Sequence, residues 1–275
     1  MNIENNYIGP KFSIILVVSN LDDHAHLEEC LISLKNQTLL PDQFILVYNG
    51  KINHTHKNIL NKYNKIFQYE VIYLNSLEYF STALNHGIKI LSYDLFIRVD
   101  PDDINHPERF AIQVEFMHRN PDISFSSSYI EKFSSTNSSI KKVIKLPCNH
   151  LDLLKFTKNG RCPLAHPAVI MRTKAVRDIG GYSNFHKCQD LALWSVAMLK
   201  GYKFANLDRV LVKMRVGDYI CSKRDFTFFK SEMKVLLFQY SIGFLNFKRL
   251  LQNLSFRFSR QIIPNWLCNI LYKYI

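Results

Sequence analysis

The sequence predicts an α/β protein built on a doubly wound, mostly parallel sheet flanked by helices. Three observations support this fold class. Continuous apolar, β-branched runs, typical of strands buried on both faces, recur between residues 12 and 99. Segments with apolar residues at helical spacing separate these runs. The order of strand and helix, repeated four times, is typical of parallel sheets with right-handed crossovers.

The individual elements follow from the same patterns. The first half is predicted to hold strands over 12–19, 44–48, 67–74 and 95–99, and helices over 26–37, 57–63, 81–91 and 107–119. The second half is predicted to hold strands over 123–133, 167–172, 202–207 and 210–215, and helices over 151–158 and 190–200. We expect Thr173 to cap a further helix, which Gly180 and Gly181 end.

The fourth strand ends in a cluster of carboxylates. Asp100, Asp102 and Asp103 follow the apolar run directly, interrupted only by Pro101. In open α/β sheets, ligands bind outside the carboxyl ends of the strands, and Mg²⁺ and Mn²⁺ prefer oxygen ligands. Proline and aspartate are also common in turns. The segment alone therefore leaves two interpretations, a cation-dependent site and an acidic turn.

The composition indicates an anionic partner and a reducing compartment. The formal net charge is +12, and residues 226–275 contribute seven basic side chains against one acidic, a net +6. Six cysteines are scattered without a CxxC pair, so we expect reduced thiols and no zinc site. The polar N-terminus lacks the features of a signal peptide, which predicts a cytoplasmic protein. No recognised nucleic-acid module accompanies the charge, so we expect no nucleic-acid partner.

The pattern changes at residue 226, where aromatic and basic residues interleave. We predict one domain over 1–225 and a helical basic-aromatic extension over 226–275. No uncharged apolar stretch approaches the roughly 20 residues that a spanning helix needs. We expect the extension to associate with the surface of the cytoplasmic membrane, and a helical pair that packs on the domain or forms a dimer is the alternative.

Seven stretches in a fixed order resemble the inverting family-2 glycosyltransferases with the GT-A fold. They are FSIILVVSN, LEECLISLKNQTLLPDQFILV, ALNHGI, FIRVDPDDINHPERF, CPLAHPAVIMR, GGYSNFHKCQDLALW and GYKFANLDRVLVKMRVG, and they cover roughly residues 10 to 225. The chain is most similar to the bacterial branch that builds capsule, O-antigen and other surface polysaccharide. The resemblance implies a nucleotide-sugar donor, a UDP-linked hexose, a divalent cation (Mn²⁺ or Mg²⁺), and a lipid-linked saccharide acceptor at the inner membrane face.

The same resemblance assigns roles to three aspartates. Asp100 and Asp102 stand where the family has its DxD motif, which contacts the donor and holds the cation, while Asp103 is expected to cap the following turn or orient the pair. Asp190 stands where the family has its catalytic base, which takes the proton of the acceptor hydroxyl. The usual Glu before that base is Gln189 here. This departure leaves open a nucleotide-sugar-binding protein without transferase activity.

The donor pocket departs further from the family pattern. The usual Asp-Asp-Gly after the second strand is Tyr48-Asn49-Gly50, and Asn49 is expected to pair with the edge of the base because an amide both donates and accepts. Asn20, after the first strand, is a candidate for nucleotide contact. Arg98 interrupts an apolar strand and is expected to pair with a carboxylate or with a donor oxygen.

The expected acceptor-side residues are His166, Gln189 and Trp194. For His166 the alternatives are a substrate contact and a structural hydrogen bond. For Trp194 they are stacking on a sugar ring and packing in the core. Arg215 and the basic loop after it are expected to close over the diphosphate, unless that loop is simply solvated.

Overall fold

The computed structural model describes residues 9–138, 141–217 and 226–262 of the chain. Expectations that concern the basic loop beyond residue 217 and the tail beyond residue 262 lie outside the described residues. Within them, the predicted α/β fold with a mostly parallel sheet and flanking helices is confirmed.

The strands of the described chain form a single mixed sheet. In chain order they are β1 (Phe12–Val18), β2 (Gln43–Asn49), β3 (Glu70–Leu74), β4 (Leu95–Val99), β5 (Ile104–Asn105), β6 (Ile123–Phe133), β7 (Lys141–Ile144), β8 (Ile170–Arg172) and β9 (Lys203–Arg215). Their spatial order is β3-β2-β1-β4-β8-β6-β9-β5, with β7 paired to β6. The first four strands are parallel, whereas β8 runs antiparallel to both β4 and β6. The ends of β1, β2 and β4 therefore meet at one edge of the sheet.

Helices cover both faces of this sheet. They are α1 (His24–Lys35), α2 (His54–Phe67), α3 (Phe80–Lys89), α4 (Arg109–Arg119), α5 (His150–Lys158), α6 (Thr173–Asp178), α7 (Gln189–Leu199), α8 (Phe226–Ser241) and α9 (Phe247–Ile262). Successive side chains of a strand point to opposite faces. Ile14 and Leu16 accordingly pack under α1, α2 and α4, and Ile15 and Val17 pack in the layer that holds α3 and α7.

Three local predictions are wrong, each for an identifiable reason. The two strands expected between residues 202 and 215 are one strand, because Asp208 and Arg209 are accommodated as an irregularity in its pairing with β6. The strand expected from Pro167 begins only at Ile170, after a single turn of 3₁₀ helix, and proline has no N–H for a ladder. Thr173 does not cap α6; its Oγ1 donates instead to the Tyr93 carbonyl at 2.6 Å.

The helices α8 and α9 pack against the domain. Leu236 and Leu250 belong to the apolar layer that contains Trp194 of α7. The Gln239 amide donates to the Ser195 hydroxyl on α7 at 2.7 Å, both groups being buried. Packing on the domain, one of the two alternatives for the extension, is thus what its described part does. The domain boundary at residue 225 stays a prediction.

A matched pair of leucines on α8 tests whether this helix shares the core of the domain. Leu236 is 1% exposed and Leu237 is 52% exposed. We expect Leu236→Ala to lower the free energy of unfolding by about 2–5 kcal/mol, because the substitution leaves a cavity. Leu237→Ala should change it by less than about 0.5 kcal/mol. Urea unfolding followed by circular dichroism measures both, and equal effects would show that α8 does not contribute to the core.

Candidate active site

A pocket of about 260 Å³ opens at the carboxyl ends of β1, β2 and β4. Strand ends, the loop after β1 and the start of α3 build its wall. The lining residues are Val17, Ser19, Asp22, Asn49, Phe80, Arg98, Asp100, Pro101 and Asp102. This is the edge at which an open α/β sheet binds its ligands.

Three carboxylates converge after β4, and two of them, Asp100 and Asp102, line this pocket. Asp100, Asp102 and Asp103 each bring an oxygen within 4.8 Å of the other two. Burial, followed by the charges of Asp100 and Asp102, raises the pKa of Asp103 to about 8, and burial also raises the pKa of Asp102. Such a group of hard oxygen donors, which repel one another when ionised, fits a divalent cation.

Asp103 has a different environment from the one expected. It is 3% exposed, and its Oδ1 accepts a hydrogen bond from the Arg215 backbone N–H at 2.8 Å. Its Oδ2 is buried and has no partner among the described residues. Asp103 therefore belongs with Asp100 and Asp102 as a candidate cation ligand, in addition to any effect that it has on their orientation.

The side chain of Arg98 projects from β4 into the pocket beside Asp100. It is 4% exposed, its Nη2 donates to the Asp100 carboxylate, and its guanidinium lies 4.9 Å from the centre of the Phe80 ring. Its Nε and Nη1 are buried and make no hydrogen bond within the described chain. Pairing with a carboxylate, one of the two expected roles, is what the structure shows.

A second buried guanidinium lies behind the acidic cluster. Arg109 donates from Nη2 to the Arg98 carbonyl at 3.1 Å and from Nε to Gln113 at 3.0 Å. Burial lowers the pKa of Arg109 to about 9, so it still carries a positive charge at neutral pH. The sequence prediction missed this residue, although a charge at a core-facing position of α4 was an available signal.

Asn49 lines the pocket, but its amide is committed elsewhere. Its Oδ1 accepts from the Glu78 N–H at 2.8 Å, and its Nδ2 donates to the Glu78 carbonyl at 3.0 Å. Gly50 lies so close to this segment that a Cβ on it would be 3.0 Å from the Leu77 nitrogen. Asn49 and Gly50 thus hold the loop before α3. The expected contact of Asn49 with a base edge stays a prediction, and one N–H and one lone pair of the amide remain for it.

The loop after β1 contributes a different residue from the one expected. Asn20 is exposed and accepts from the Asn53 N–H at 2.7 Å, outside the pocket lining. Asp22 lines the pocket instead, and its Oδ2 accepts from the Ser19 N–H at 2.6 Å. Burial raises the pKa of Asp22. Nucleotide contact by Asn20 stays a prediction without support from its position.

Asp190 lies in the first turn of α7. Cys188, just before the helix, adopts a left-handed conformation with φ of 61°. Gln189 and Asp190 then follow, both partly exposed, and Oδ2 of Asp190 lies 3.2 Å from Sγ of Cys162. A negatively charged side chain in the first turn of a helix is stabilised by the helix dipole by roughly 0.3–1 kcal/mol.

Tyr182 connects the two acidic regions. Burial raises the pKa of its phenol; the charge of Arg98 opposes this shift, and the charges of Asp190 and Asp100 add to it. Side-chain contacts lead from β4 to Tyr182: the Arg98 guanidinium lies 4.9 Å from the centre of the Phe80 ring, the ring centres of Phe80 and His166 are 6.3 Å apart, and Nε2 of His166 lies 2.8 Å from the Tyr182 hydroxyl. The acidic end of β4 and the start of α7 form one candidate site.

His166 and Asn85 hold Tyr182 in place. A ring nitrogen of His166, Nε2, lies 2.8 Å from the Tyr182 hydroxyl, and burial lowers the pKa of His166 well below its usual value, so the ring is neutral. The Asn85 amide donates to the Tyr182 carbonyl and accepts from the Tyr182 N–H, each at 2.8 Å. A Cβ on Gly181 would lie 2.5 Å from Oδ1 of Asn85, which explains the glycine there. For His166 the structural hydrogen bond is observed, and an acceptor contact stays a prediction.

Two expected substrate contacts require correction. Trp194 has no exposed surface and packs on Phe125 and Phe204, with ring centres at 5.5 and 5.9 Å, so it cannot stack on an acceptor sugar in this structure. Arg215 does not project over the pocket. Its Nε donates to the Asp102 carbonyl at 3.0 Å and its Nη2 to Glu29, which makes it a support for the acidic loop.

Comparisons with known proteins define the family. Residues 13–180 match the model of Glycosyl transferase family 2, and the chain belongs to this family. A UDP-Gal:alpha-D-GlcNAc-diphosphoundecaprenol beta-1,3-galactosyltransferase of Escherichia coli is 29% identical over 96% of both chains. The amylovoran biosynthesis glycosyltransferase AmsE of Erwinia amylovora is 27% identical over 95% of this chain and 98% of its own. The expected resemblance to bacterial polysaccharide glycosyltransferases is confirmed.

Solved structures confirm the GT-A fold. S. aureus TarS 1-349 in complex with UDP-GlcNAc superposes with a TM-score of 0.66 at 17% identity, over 91% of this chain and 72% of that one. At this identity the likeness shows the fold alone. Against the longer TarS chain the match covers 82% of this chain and 39% of that one, with a TM-score of 0.62.

The raised pKa of Asp103 predicts that the stability of the metal-free protein, measured with a chelator present, depends on pH. An unfolded aspartate ionises near 3.9 and folded Asp103 near 8, so between these values the unfolded state binds fewer protons and stability falls as the pH rises. We expect a loss on the order of a few kcal/mol from pH 4 to 8, which Asp103→Asn should reduce substantially. The exposed Asp208→Asn serves as control. Urea unfolding across this pH range measures the effect, and a wild-type stability parallel to that of Asp103→Asn would contradict it.

Proposed function

We propose that this chain is an inverting glycosyltransferase that moves a hexose from a UDP-linked donor to a saccharide acceptor carried on a polyprenyl diphosphate lipid. The observation that supports the proposal is the chain of contacts from Arg98 at the acidic end of β4, through Phe80 and His166, to Tyr182, which precedes α7. The name of the similar Escherichia coli enzyme, with its UDP-galactose donor and diphosphoundecaprenol acceptor, supports this choice of substrates.

The donor side is assigned to the acidic end of β4. Asp100 and Asp102, with Asp103 behind them, would hold Mn²⁺ or Mg²⁺, and the oxygen-only donor set and the unpaired Oδ2 of Asp103 fit such a cation. When bound, the cation would neutralise the charge that develops on the departing diphosphate. Arg98 offers two unpaired nitrogens, Nε and Nη1, as donors to oxygens of the sugar nucleotide, and its buried cation favours an anionic ligand.

The acceptor side is assigned to the start of α7. Asp190 takes the proton of the acceptor hydroxyl while that oxygen attacks the anomeric carbon from the face opposite the leaving diphosphate, which inverts the configuration. Gln189 replaces the usual Glu in binding the acceptor. Its amide can both donate to and accept from acceptor hydroxyls. Neutral His166 keeps Tyr182 oriented between the two sides.

The lipid-linked acceptor brings the enzyme to the inner face of the membrane. None of the helices in the described ranges is long and apolar enough to cross a bilayer. On α9, Phe247, Leu251 and Phe258 are about half exposed and recur at a spacing that places them along one face, next to exposed Lys248 and Arg249. A half-exposed aromatic stripe with basic neighbours fits the surface of an anionic leaflet, where each basic residue contributes about 1 kcal/mol.

Asp190→Asn tests the assignment of the base. We expect transfer to fall by about 10²- to 10⁴-fold, because the variant lacks a proton acceptor, while UDP-sugar affinity stays within about twofold. A radiolabelled transfer assay and calorimetry with UDP-hexoses in Mn²⁺ give the two measurements. Normal turnover in the variant would refute the base. Binding of a UDP-sugar by the wild type without any transfer or hydrolysis would favour the alternative, a binding protein without transferase activity, which the Gln189 departure motivates.

Leu251→Glu tests the membrane face. The variant places a carboxylate in the apolar stripe, and we expect co-flotation with phosphatidylglycerol vesicles to weaken by at least about tenfold, because a buried leucine contributes about 1.5–3 kcal/mol. Leu199→Glu is the matched control, since Leu199 is 50% exposed and Leu251 is 47% exposed. Equal flotation of both variants, or no flotation of the wild type, would remove the proposed membrane role without affecting the proposed chemistry.

A further inference from the structure

We propose that Cys162 is a positioning residue for Asp190: its thiol holds one oxygen of the carboxylate and leaves the other free for the acceptor hydroxyl. The inference rests on the proposed function, because it assumes that Asp190 is the base. Cys162 lies between α5 and the 3₁₀ turn, 28 residues before Asp190, so the contact joins two separate parts of the chain.

The geometry of the contact defines which atom is held. Sγ of Cys162 lies 3.2 Å from Oδ2 of Asp190 and 3.3 Å from the Leu164 carbonyl oxygen. Both oxygens can only accept, so the single S–H proton is shared between them. Across the described ranges no other side chain donates to Asp190, and Oδ1 has no intramolecular partner. Burial, and then the charge of Asp190, raise the pKa of Cys162 well above its usual value, which keeps the thiol protonated and able to donate.

Tyr182 and Cys188, two titratable groups whose pKa is affected by the charge of Asp190, are neutral at neutral pH. Tyr182 precedes α7 and Cys188 stands at its start; burial raises the pKa of the Tyr182 phenol and raises the pKa of Cys188 to about 12. Charged groups come next, beside Cys188: Glu232 of α8, Arg257 of α9 and Lys187. Glu232 and Arg257 are paired at 3.1 Å. Cys162 is thus the described group that makes direct hydrogen-bonding contact with the carboxylate.

A thiol suits this position because it is a weak donor. A base must be ionised before the step and must still bind a proton during it. A strong donor, such as a hydroxyl or guanidinium, stabilises the ionised carboxylate and lowers its proton affinity. The S–H group of Cys162 restricts the rotation of the carboxylate with a smaller loss of basicity. Orientation and basicity are therefore both retained at Asp190.

Two substitutions separate orientation from basicity. Cys162→Ala removes the donor, and we expect kcat to fall about tenfold with an unchanged KM for the donor, while the acidic limb of the kcat–pH profile moves to higher pH. Cys162→Ser supplies a stronger donor, and we expect the acidic limb to move to lower pH with part of the lost rate restored. Cys148→Ala is the matched control, since Cys148 is another half-buried cysteine but contacts the Tyr129 phenol. It should leave both kcat and the limb unchanged.

The outcomes distinguish this inference from the proposed function. If Asp190→Asn is inactive but Cys162→Ala keeps the wild-type kcat and pH profile, the positioning role is wrong and the proposed base stands. If Asp190→Asn remains active, the base is wrong and the inference fails with it. Should Cys162→Ala lose its cooperative thermal unfolding, Cys162→Ser decides: a folded serine variant with an unshifted acidic limb overturns the inference. The inference is supported if the acidic limb of the kcat–pH profile moves to higher pH in Cys162→Ala and to lower pH in Cys162→Ser.

Discussion

The mutual repulsion of three carboxylates at the end of β4 is the constraint on which this site depends. At a separation of 4.8 Å, two unit charges repel by about 3 kcal/mol at the effective dielectric of a protein surface. The surrounding residues counter this repulsion. Arg98 pairs with Asp100, the Arg215 backbone donates to Asp103, and Arg109 places a buried positive charge behind the cluster. Burial, and after it the remaining repulsion, raise the pKa of Asp103 and of Asp102.

The same constraint explains why positive residues near the pocket are buried and bonded. The guanidinium of Arg215 donates to the Asp102 carbonyl and to Glu29 and lies over the Phe133 ring. These contacts fix the backbone of the acidic loop. Arg98 is held by Asp100 and by the Phe80 ring. In each case a guanidinium that looks in the sequence like a ligand contact first has a carboxylate or a carbonyl of the protein to satisfy. Among the described guanidiniums of this region, Arg98 keeps nitrogens, Nε and Nη1, that have no partner.

The strands and helices of this protein were more predictable from the sequence than the contacts between its side chains. The buried strands and their order were predictable because continuous apolar runs such as residues 12–18 have few other structures available. The acidic end of β4 was predictable from its motif, and the structure places Asp100 and Asp102 in the lining of the pocket at the carboxyl ends of the strands. The inward bonding of Asn49 to Glu78 was not predictable, because the partner is a backbone group of a loop distant in sequence. The burial of Trp194 likewise depends on Phe125 and Phe204, which no local pattern connects to it.

The contacts at the two ends of α3 connect the pocket at the end of β4 with Tyr182. This helix begins at Phe80, beneath Arg98 in the donor pocket, and the residues just ahead of it are bonded to Asn49 at the end of β2. One and a half turns later its Asn85 is bonded to Tyr182, beside Asp190. A displacement of α3 along its axis would therefore move Phe80 in the pocket wall and Asn85 at Tyr182 together. The one rigid helix thus couples the shape of the pocket at the end of β4 to the position of Tyr182.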